Sequence, residues 1–269
     1  MSKVVTVSTV TGQTQEVDCT SLVLAAGTLC SSMILLRSIY EDSGQLVTLR
    51  GLMDNRQVLM PFLNLTMIGK AYEPKSYQYH QLVIGLEGGS AKDYVHGLVT
   101  TLKTALIHPI IQSIPMDLGT SVRLFRNLHA ALGLVNINFS DDRRESNFLR
   151  LEPANGGPPG LVVHYENPSG EPERIAKTAR LFRKVLWKLG CIAPPPLTHI
   201  RPMGASVHYA GTVPMCHTNE GFTCTEFCQS RDVANLYFVD GTTFPTLPAK
   251  NLTFTLMANA VRVAEEAFG

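Results

Sequence analysis

Both ends of this chain carry an apolar run that ends in glycine and leads toward a helix. Residues 21–27 are apolar without alternation, and the spacing of apolar residues over 28–38 predicts a helix after them. Residues 235–240 are also strand-like, and Gly241 leads on to a helical pattern over 252–264. Continuous apolar strands are typical of sheets that are covered on both faces. The two ends therefore predict one shared α/β layer.

The middle of the chain has a different pattern. Short segments that alternate apolar and polar residues cover 81–87, 133–139, 147–151 and 161–165. Such alternation is typical of half-exposed antiparallel strands. An amphipathic helix is predicted over 170–189, with Gly190 in the position of its C-cap. The middle therefore predicts a mostly antiparallel sheet with flanking helices, inserted into the α/β layer.

The fold class that these patterns predict is α/β, mixed with α+β. Residues 1–55 and 201–269 form the predicted α/β layer, and residues 56–200 form the inserted domain. A chain of 269 residues is long enough for two such interleaved domains, each with a core of its own.

The composition narrows the classes of function. Hydrophobic residues make up 45% of the chain, charged residues make up 17%, and the formal net charge is +1. A net charge this close to zero does not indicate binding to nucleic acid or to an anionic membrane, so we expect neither as a partner. No apolar run approaches the roughly eighteen residues of a membrane-spanning helix, and no signal-peptide pattern is seen. We therefore expect a cytoplasmic protein.

Six cysteines are spread unevenly along the chain, which argues against a disulfide framework. Cys216, His217, Cys224 and Cys228 cluster closely enough to raise zinc as an alternative. Only Cys224 and Cys228 have the C-x2–4-C spacing that is usual for structural zinc ligands. The favoured interpretation is that these are half-buried loop cysteines, and we predict no metal site.

A histidine and an asparagine in the last part of the chain are the candidate catalytic residues. His208 precedes the strand over 235–240, and Asn251 stands at the start of the closing helix. They would make a proton-handling pair beside a helix N-terminus, which favours a phosphate or a developing anion. The Asp240-Gly241 turn lets the backbone approach a ligand closely, since glycine has no Cβ. On these signals alone a lone histidine is more often structural, and such an asparagine is most often an N-cap.

The order of these segments resembles the C-terminal third of the glucose–methanol–choline oxidoreductases, which are flavoproteins that oxidise alcohols. That family carries its catalytic histidine in a His-x-x-Gly-Thr segment, as found in residues 208–212. It continues with Asn-Leu-Tyr-Val-x-Asp-Gly-Ser-x-x-Pro, which residues 235–245 resemble, and then with Asn or His opening the last helix. The Ala-Ala-Gly of residues 25–27 and the Gly-Leu-Met-Asp-Asn of residues 51–55 resemble two earlier family segments.

This resemblance implies FAD as the cofactor and a small-molecule alcohol or sugar as the substrate. His208 would be the general base that takes the hydroxyl proton while a hydride leaves the same carbon for flavin N5. Asn251 would hydrogen-bond the substrate oxygen and so lie beside the cofactor.

The resemblance also implies which residues contact the cofactor. Ala26 and Gly27 would lie by the cofactor, and Asp240 and Gly241 would line its ribityl–pyrophosphate region. Leu252 would offer its backbone to the flavin ring at the start of the closing helix.

One family motif is absent from the sequence. The family binds the FAD pyrophosphate through a Gly-x-Gly-x-x-Gly turn, and residues 1–269 contain no such turn. We therefore predict that residues 1–55 and 201–269 form a partial FAD-binding domain, and that residues 56–200 form the substrate-binding domain. The unpartnered apolar faces of the partial FAD-binding domain would form an exposed patch. We expect such a chain to bind FAD poorly, to aggregate, or to require a complementing N-terminal flavin-binding polypeptide.

Two interpretations of such a chain follow. In the first, it is a truncated gene product or one half of a split FAD-dependent alcohol oxidoreductase. In the alternative, it is a non-catalytic remnant or interaction module of the same fold that binds no flavin.

Overall fold

The structure is a computed structural model that describes residues 3–73, 75, 79–102, 110–112, 114–154, 157–218 and 221–269. The chain divides into two compact units. Unit 1 comprises Met1–Asn55, Asp141–Glu166 and Ser206–Gly269, and unit 2 comprises Arg56–Ser140 and Asn167–Ala205.

The strands and helices are numbered in chain order. The strands are β1 (Lys3–Val7), β2 (Thr14–Asp18), β3 (Leu22–Leu24), β4 (Thr48–Arg50), β5 (Met53–Asp54), β6 (Gln57–Asn64), β7 (Tyr79–Leu86), β8 (Val95–Thr101), β9 (Leu132–Phe139), β10 (Asp141–Asp142), β11 (Phe148–Ala154), β12 (Gly157–His164), β13 (Cys191–Ile192), β14 (His199–Ile200), β15 (Tyr209–Ala210), β16 (Leu236–Phe238) and β17 (Thr246–Leu247). The helices are α1 (Thr28–Ser43), α2 (Leu118–Leu128), α3 (Glu171–Lys188) and α4 (Thr253–Phe268). Over the part of the chain that the structure describes, no helix has the length and apolar character needed to cross a membrane.

In unit 1 the two ends of the chain meet in a parallel pair of strands. Leu22 pairs with Leu236 and Leu24 pairs with Phe238, so β3 and β16 run side by side. After β3 the chain turns at Gly27, whose φ of 84° suits glycine, and enters α1. The prediction of an α/β layer built from both ends of the chain is confirmed.

A three-stranded antiparallel sheet in unit 1, ordered β12–β11–β4, packs against α1. Leu36 of α1, Leu49 of β4 and Leu149 of β11 are almost fully buried in one core. Phe238 of β16 belongs to the same core, which therefore joins the parallel pair to the antiparallel sheet.

Unit 1 also contains a segment that the sequence assigned to the inserted domain. That domain was predicted over 56–200, but Asp141–Glu166 lies in unit 1, where β11 pairs with β4. Alternation shows that a segment is a half-buried strand, but it carries no information on which sheet the strand joins. The assignment of the two domains to FAD and to substrate stays a prediction.

Unit 2 is built on an antiparallel sheet ordered β13–β6–β9–β8–β7, as the alternation in the middle of the chain predicts. Helix α3 packs its apolar stripe on this sheet, with Phe182 fully buried. Gly97 of β8 makes room for that ring, because an added Cβ would collide with it. The predicted helix and its end are confirmed, since Gly190 follows α3 with a φ of 75°.

A buried ion pair anchors the first turn of α3 within unit 2. Arg56 donates from Nε and Nη2 to the two carboxylate oxygens of Glu171, at 3.0 and 2.8 Å. Its remaining donors reach Asn167 Oδ1 at 2.7 Å and the Arg201 carbonyl at 2.8 Å. Because the partners of both charged groups are in place, the cost of burying them is offset.

Candidate active site

A strained turn places His208 just ahead of β15 in unit 1. Val207 has a left-handed φ of 57°, which is uncommon for a β-branched residue. The His208 backbone N–H donates to the Ser206 hydroxyl at 2.9 Å, and that hydroxyl donates to the Asp54 carboxylate. Strand β15 pairs with β5, so that Tyr209 lies opposite Asp54. Such strain persists only where the surroundings hold it, and it is typical of functional sites.

The imidazole of His208 is oriented by Asn55. His208 Nδ1 lies 3.1 Å from Asn55 Oδ1, and Asn55 Nδ2 donates to the Pro248 carbonyl at 3.2 Å. A carbonyl oxygen only accepts, so the amide of Asn55 must turn its NH2 toward Pro248 and its oxygen toward His208. Nδ1 therefore carries the imidazole hydrogen, and Nε2 carries the lone pair of a neutral base. Asn55 is only 2% exposed, so its orientation is fixed by packing as well.

Burial lowers the pKa of His208 below its ordinary value of 6.5. Partial removal from water disfavours the charged imidazolium, and the facing Asn55 oxygen carries no charge that would compensate. His208 is therefore neutral at pH 7, which is the form needed to accept a proton.

The carboxylate of Asp141, from the middle of the chain, stabilises the segment that carries Asp54 and Asn55. Asp141 Oδ2 accepts from the Asp54 backbone N–H at 3.0 Å and from the Tyr165 hydroxyl at 2.7 Å. Arg144 Nη1 donates to Asp141 Oδ1 at 2.6 Å and neutralises it. Burial and the Asp141 carboxylate raise the pKa of Tyr165, so this residue stays a neutral hydrogen-bond donor. The network fixes the strand that ends next to Asn55.

Asn251 and Leu252 lie at the start of α4, as predicted. The helix begins at Thr253 with the buried Leu252 as its N-cap, and Asn251 is exposed just before it. Leu252 shares a small core with Met53 of β5 and Ala210 of β15, which brings the start of α4 to the strands that flank His208. Among the described residues no hydrogen bond joins His208 to Asn251 directly, so their pairing stays a prediction.

Asp240 holds two turns together. Its Oδ2 accepts from the Gly27 N–H at 2.9 Å and from the Ser31 hydroxyl at 2.5 Å. Its Oδ1 accepts from the Thr242 N–H at 2.9 Å and from the hydroxyl of the same residue. Both carboxylate oxygens accept hydrogen bonds from within the protein. The side chain of Asp240 therefore contributes to the site by stabilising the two turns.

The two predicted glycines are required for different reasons. At Gly241 an added Cβ would collide with the Tyr209 carbonyl and would lie 2.7 Å from the Thr28 hydroxyl oxygen. At Gly27 an added Cβ would have nothing within 4 Å, and only the positive φ favours glycine. Ala26 precedes Gly27 and is exposed. The backbone at residues 26–27 therefore faces open space at the N-terminus of α1.

Three residues of this site were not identified from the sequence. Asn55 ends the Gly-Leu-Met-Asp-Asn segment, so its position was noted, but its contact with His208 depends on the pairing of β5 with β15. Ser206 stands two residues before His208 and carries no signal of its own. Asp141 reaches the site through the pairing of β10 with β17, which no local pattern predicts.

Two members of the cysteine cluster are more deeply buried than predicted. Cys224 and Cys228 are fully buried, so the interpretation of half-buried loop cysteines is wrong for these two. Cys216 is half-buried. In the described portions of the chain, no group of three His, Cys, Asp or Glu side chains is arranged to hold a metal ion.

The chain resembles known proteins over part of its length. A family model described as GMC oxidoreductase matches residues 144–260. The C-glycoside 3-oxidase of Arthrobacter globiformis is 32% identical over 114 residues, which are 41% of this chain and 21% of that protein. The 2-methyl-1,2-propanediol dehydrogenase of Mycolicibacterium austroafricanum is 30% identical over 159 residues, which are 55% of this chain and 27% of that protein.

Solved structures share the fold. Pyridoxine 4-oxidase from Mesorbium loti has a TM-score of 0.63 at 14% identity, covering 98% of this chain and 54% of that chain. An FAD-dependent oxidoreductase from Chaetomium thermophilum has a TM-score of 0.55 at 16% identity, covering 98% of this chain and 58% of that chain. The present chain thus spans little more than half the length of these solved structures.

Proposed function

Because the chain belongs, as a C-terminal portion, to the glucose–methanol–choline (GMC) oxidoreductase family, we propose that it forms part of an FAD-dependent enzyme that oxidises the CH–OH group of an alcohol or sugar. The observation that carries this proposal is the neutral, partly buried His208, whose Nδ1 faces Asn55 at 3.1 Å. The names of the two curated relatives, an oxidase and a dehydrogenase, support oxidoreductase chemistry.

His208 is the general base of the proposed reaction. Its Nε2 lone pair accepts the substrate hydroxyl proton, since Nδ1 is already protonated and faces Asn55. Proton transfer creates an imidazolium, and the bond from Nδ1–H to Asn55 then becomes charge-assisted and stronger. Asn55 therefore stabilises the charged product of proton transfer more than the neutral starting state, which is the direction that helps catalysis.

FAD, when bound, supplies the acceptor for the hydride that leaves the substrate carbon. The turn at Ala26 and Gly27 fits such a cofactor, because its backbone borders open space and α1 has no side-chain cap on its first N–H groups. Gly241 and the backbone of Leu252 would complete the contacts. Asp240 contributes to the proposed cofactor site by stabilising the turn, because its carboxylate accepts hydrogen bonds from the Gly27 N–H and the Ser31 hydroxyl.

Asn251 completes the proposed site from the start of α4. Its amide is exposed and precedes the helix N-terminus, which favours negative charge. In this position it would hydrogen-bond the substrate oxygen while His208 removes the proton.

The exposed face of α4 supports the need for a complementing polypeptide. Phe254, Met257 and Val261 lie on one helical face and are 85%, 59% and 56% exposed. Val23 on the β3–β16 pair is a further exposed apolar residue, although parallel strands are usually covered on both faces. The proposed occupant is an N-terminal flavin-binding polypeptide of the same family, which would carry the absent Gly-x-Gly-x-x-Gly turn. The solved structures extend well beyond the matched region, which is consistent with such a partner.

Co-purification with flavin tests this proposal. The chain would be co-expressed with an N-terminal family polypeptide that has the Gly-x-Gly-x-x-Gly turn, and flavin absorbance of the complex would be recorded before and after anaerobic addition of alcohols and sugars. We expect bound FAD that is bleached by at least one donor. Phe254→Lys is expected to weaken the complex, whereas Trp187→Lys, at an exposed position on α3 of unit 2, is the matched control.

Two results would contradict parts of this proposal. A stable complex without flavin would favour the non-catalytic interaction module. A complex that Phe254→Lys and Trp187→Lys weaken equally would remove the proposed role of the α4 face.

A further inference from the structure

A cleft of about 410 Å³ lies between α3 and β14 in unit 2. Ala176 and Ala179 stand at neighbouring positions on the surface of α3, and their short side chains leave a hollow there. Small-molecule sites have volumes of roughly 300–1,000 Å³, so the cleft is large enough for a ligand of this size. The described residues that line it all belong to unit 2 and are separate from the candidate site around His208.

The floor and one wall of the cleft are apolar. Ile175 and Ala179 form the floor and are themselves almost fully buried in the core of unit 2. Ile200 of β14 lines the opposite side and is 48% exposed. A ligand that covers this apolar surface removes it from water, which is favourable. The wall therefore favours a ligand with a hydrocarbon part.

The guanidinium of Arg183 also lines the cleft. Its Nη2 donates to Thr198 Oγ1 at 2.8 Å, and its Nε is buried without a hydrogen-bond partner. Part of this charge is thus withdrawn from water without full compensation, which is unfavourable. Nη1 is not buried and, among the described residues, has no acceptor. An anion that accepts from Nη1 would offset the cost of the partial burial.

A second guanidinium, that of Arg180, adds to the positive charge of the cleft. Its Nε donates to the Ala176 carbonyl at 3.3 Å, and within the described chain its two Nη atoms have no acceptor. None of the described lining residues is acidic. Helix α3 carries six Lys and Arg residues but two Glu residues, of which Glu171 is bound by Arg56. Charge complementarity therefore selects an anionic ligand.

We propose that this cleft binds an amphipathic monocarboxylate, which is a carboxylate attached to an apolar chain. The carboxylate accepts hydrogen bonds from Arg183 and Arg180, and the chain lies along Ile200 and the floor of the cleft. A compact inorganic anion would leave the apolar wall in water. An uncharged hydrocarbon would leave both guanidinium groups without an acceptor. The site goes beyond the proposed oxidoreductase function and does not depend on it.

Calorimetric titration of the full chain at pH 7 tests this inference. Decanoate is the probe, and decan-1-ol has the same chain length without the charge. We expect saturable binding of decanoate, and binding of decan-1-ol that is at least about tenfold weaker, because hydrogen bonds between charged partners are the strong ones. No saturable binding of decanoate, or equal affinity for the two compounds, would overturn the proposal.

Three variants locate the site. Ala176→Phe fills the cleft from an exposed position and keeps both guanidinium groups, so it should abolish decanoate binding. Arg183→Met and Arg180→Met should each reduce the preference for decanoate over decan-1-ol. The Arg180 variant changes an exposed side chain, so it tests the charge even if Arg183→Met does not fold.

The matched control for these variants is Lys177→Met. It removes one positive charge from an exposed position of α3 that does not line the cleft, and it should keep the parent's affinity for decanoate. Unchanged affinity in Ala176→Phe would place the bound decanoate elsewhere and contradict the site. An equal loss of affinity in Lys177→Met and Arg180→Met would contradict the role of the cleft arginines.

Discussion

Substitution of Asn55 tests how the fold prepares His208 for proton transfer. Asn55→Ala removes the acceptor at 3.1 Å from Nδ1 and the donor at 3.2 Å from the Pro248 carbonyl. Each hydrogen bond of this kind contributes about 0.5–1.5 kcal/mol net to stability. The free energy of unfolding of unit 1 should therefore fall by about 1–3 kcal/mol. The imidazole also loses the contact that sets its orientation, and a displacement of about 1 Å can cost roughly 100-fold in rate.

A second variant separates orientation from a merely structural role. Asn55→Asp keeps an oxygen against Nδ1 but adds a negative charge, which raises the pKa of a neighbouring imidazole by about 1–3 pH units. A larger fraction of His208 would then be protonated at a given pH. The acid limb of kcat/KM for alcohol-dependent flavin reduction should move to higher pH in Asn55→Asp, but not in Asn55→Ala.

The assay is rapid anaerobic mixing of the flavin-loaded complex with a donor alcohol between pH 5 and 9. Urea unfolding of each variant measures its stability, which excludes misfolding as the cause of a change in rate or pH profile. If Asn55→Asp is folded, binds flavin and keeps the parent's pH profile, then Asn55 does not act on the protonation of His208.

Three further predictions concern stability. Gly27→Ala should destabilise unit 1 by about 1–3 kcal/mol in urea unfolding, because a φ of 84° with a ψ of 153° suits only glycine, and an unchanged midpoint would contradict this strain. Phe182→Ala should cost unit 2 about 3–5 kcal/mol, since the ring is fully buried, and a loss under about 1 kcal/mol would show that the site collapses around the missing ring. Burial lowers the pKa of His208 below 6.5, so the unfolded chain binds that proton more tightly and stability should fall as the pH drops below 6.5. His208→Gln should reduce this dependence, and an unaltered pH profile of unfolding would exclude His208 as its source.

The parallel pair and its helices could be predicted because their signals are local. The apolar runs at 21–27 and 235–240 form β3 and β16, and the helical spacing after each run forms α1 and α4. The predicted helix over 252–264 differs from Thr253–Phe268 mainly at its end. The apolar periodicity of each segment is contained within the segment itself, which is why it is sufficient to identify these elements.

The support of the candidate site could not be predicted in the same way. Asp141–Glu166 joins unit 1 because β11 pairs with β4 and β10 with β17, and these partners are distant in sequence. The contact between Asn55 and His208 depends on a third distant pairing, of β5 with β15. The hydrogen bonds of Asp240 could not be predicted either. Its motif predicts a turn, but it does not show that the carboxylate accepts hydrogen bonds from the Gly27 N–H and the Ser31 hydroxyl.

The role of His208 is tested most directly by a single-turnover measurement on the flavin-loaded complex. His208→Ala should keep FAD bound and should slow alcohol-dependent flavin bleaching by about 100-fold or more, because general-base catalysis contributes roughly 10²–10⁴-fold. His199→Ala, at an exposed histidine of β14 in unit 2, is the matched control and should bleach at the parent rate. Bleaching of the His208→Ala complex at the parent rate, with FAD bound, would contradict the assignment of His208 as the base.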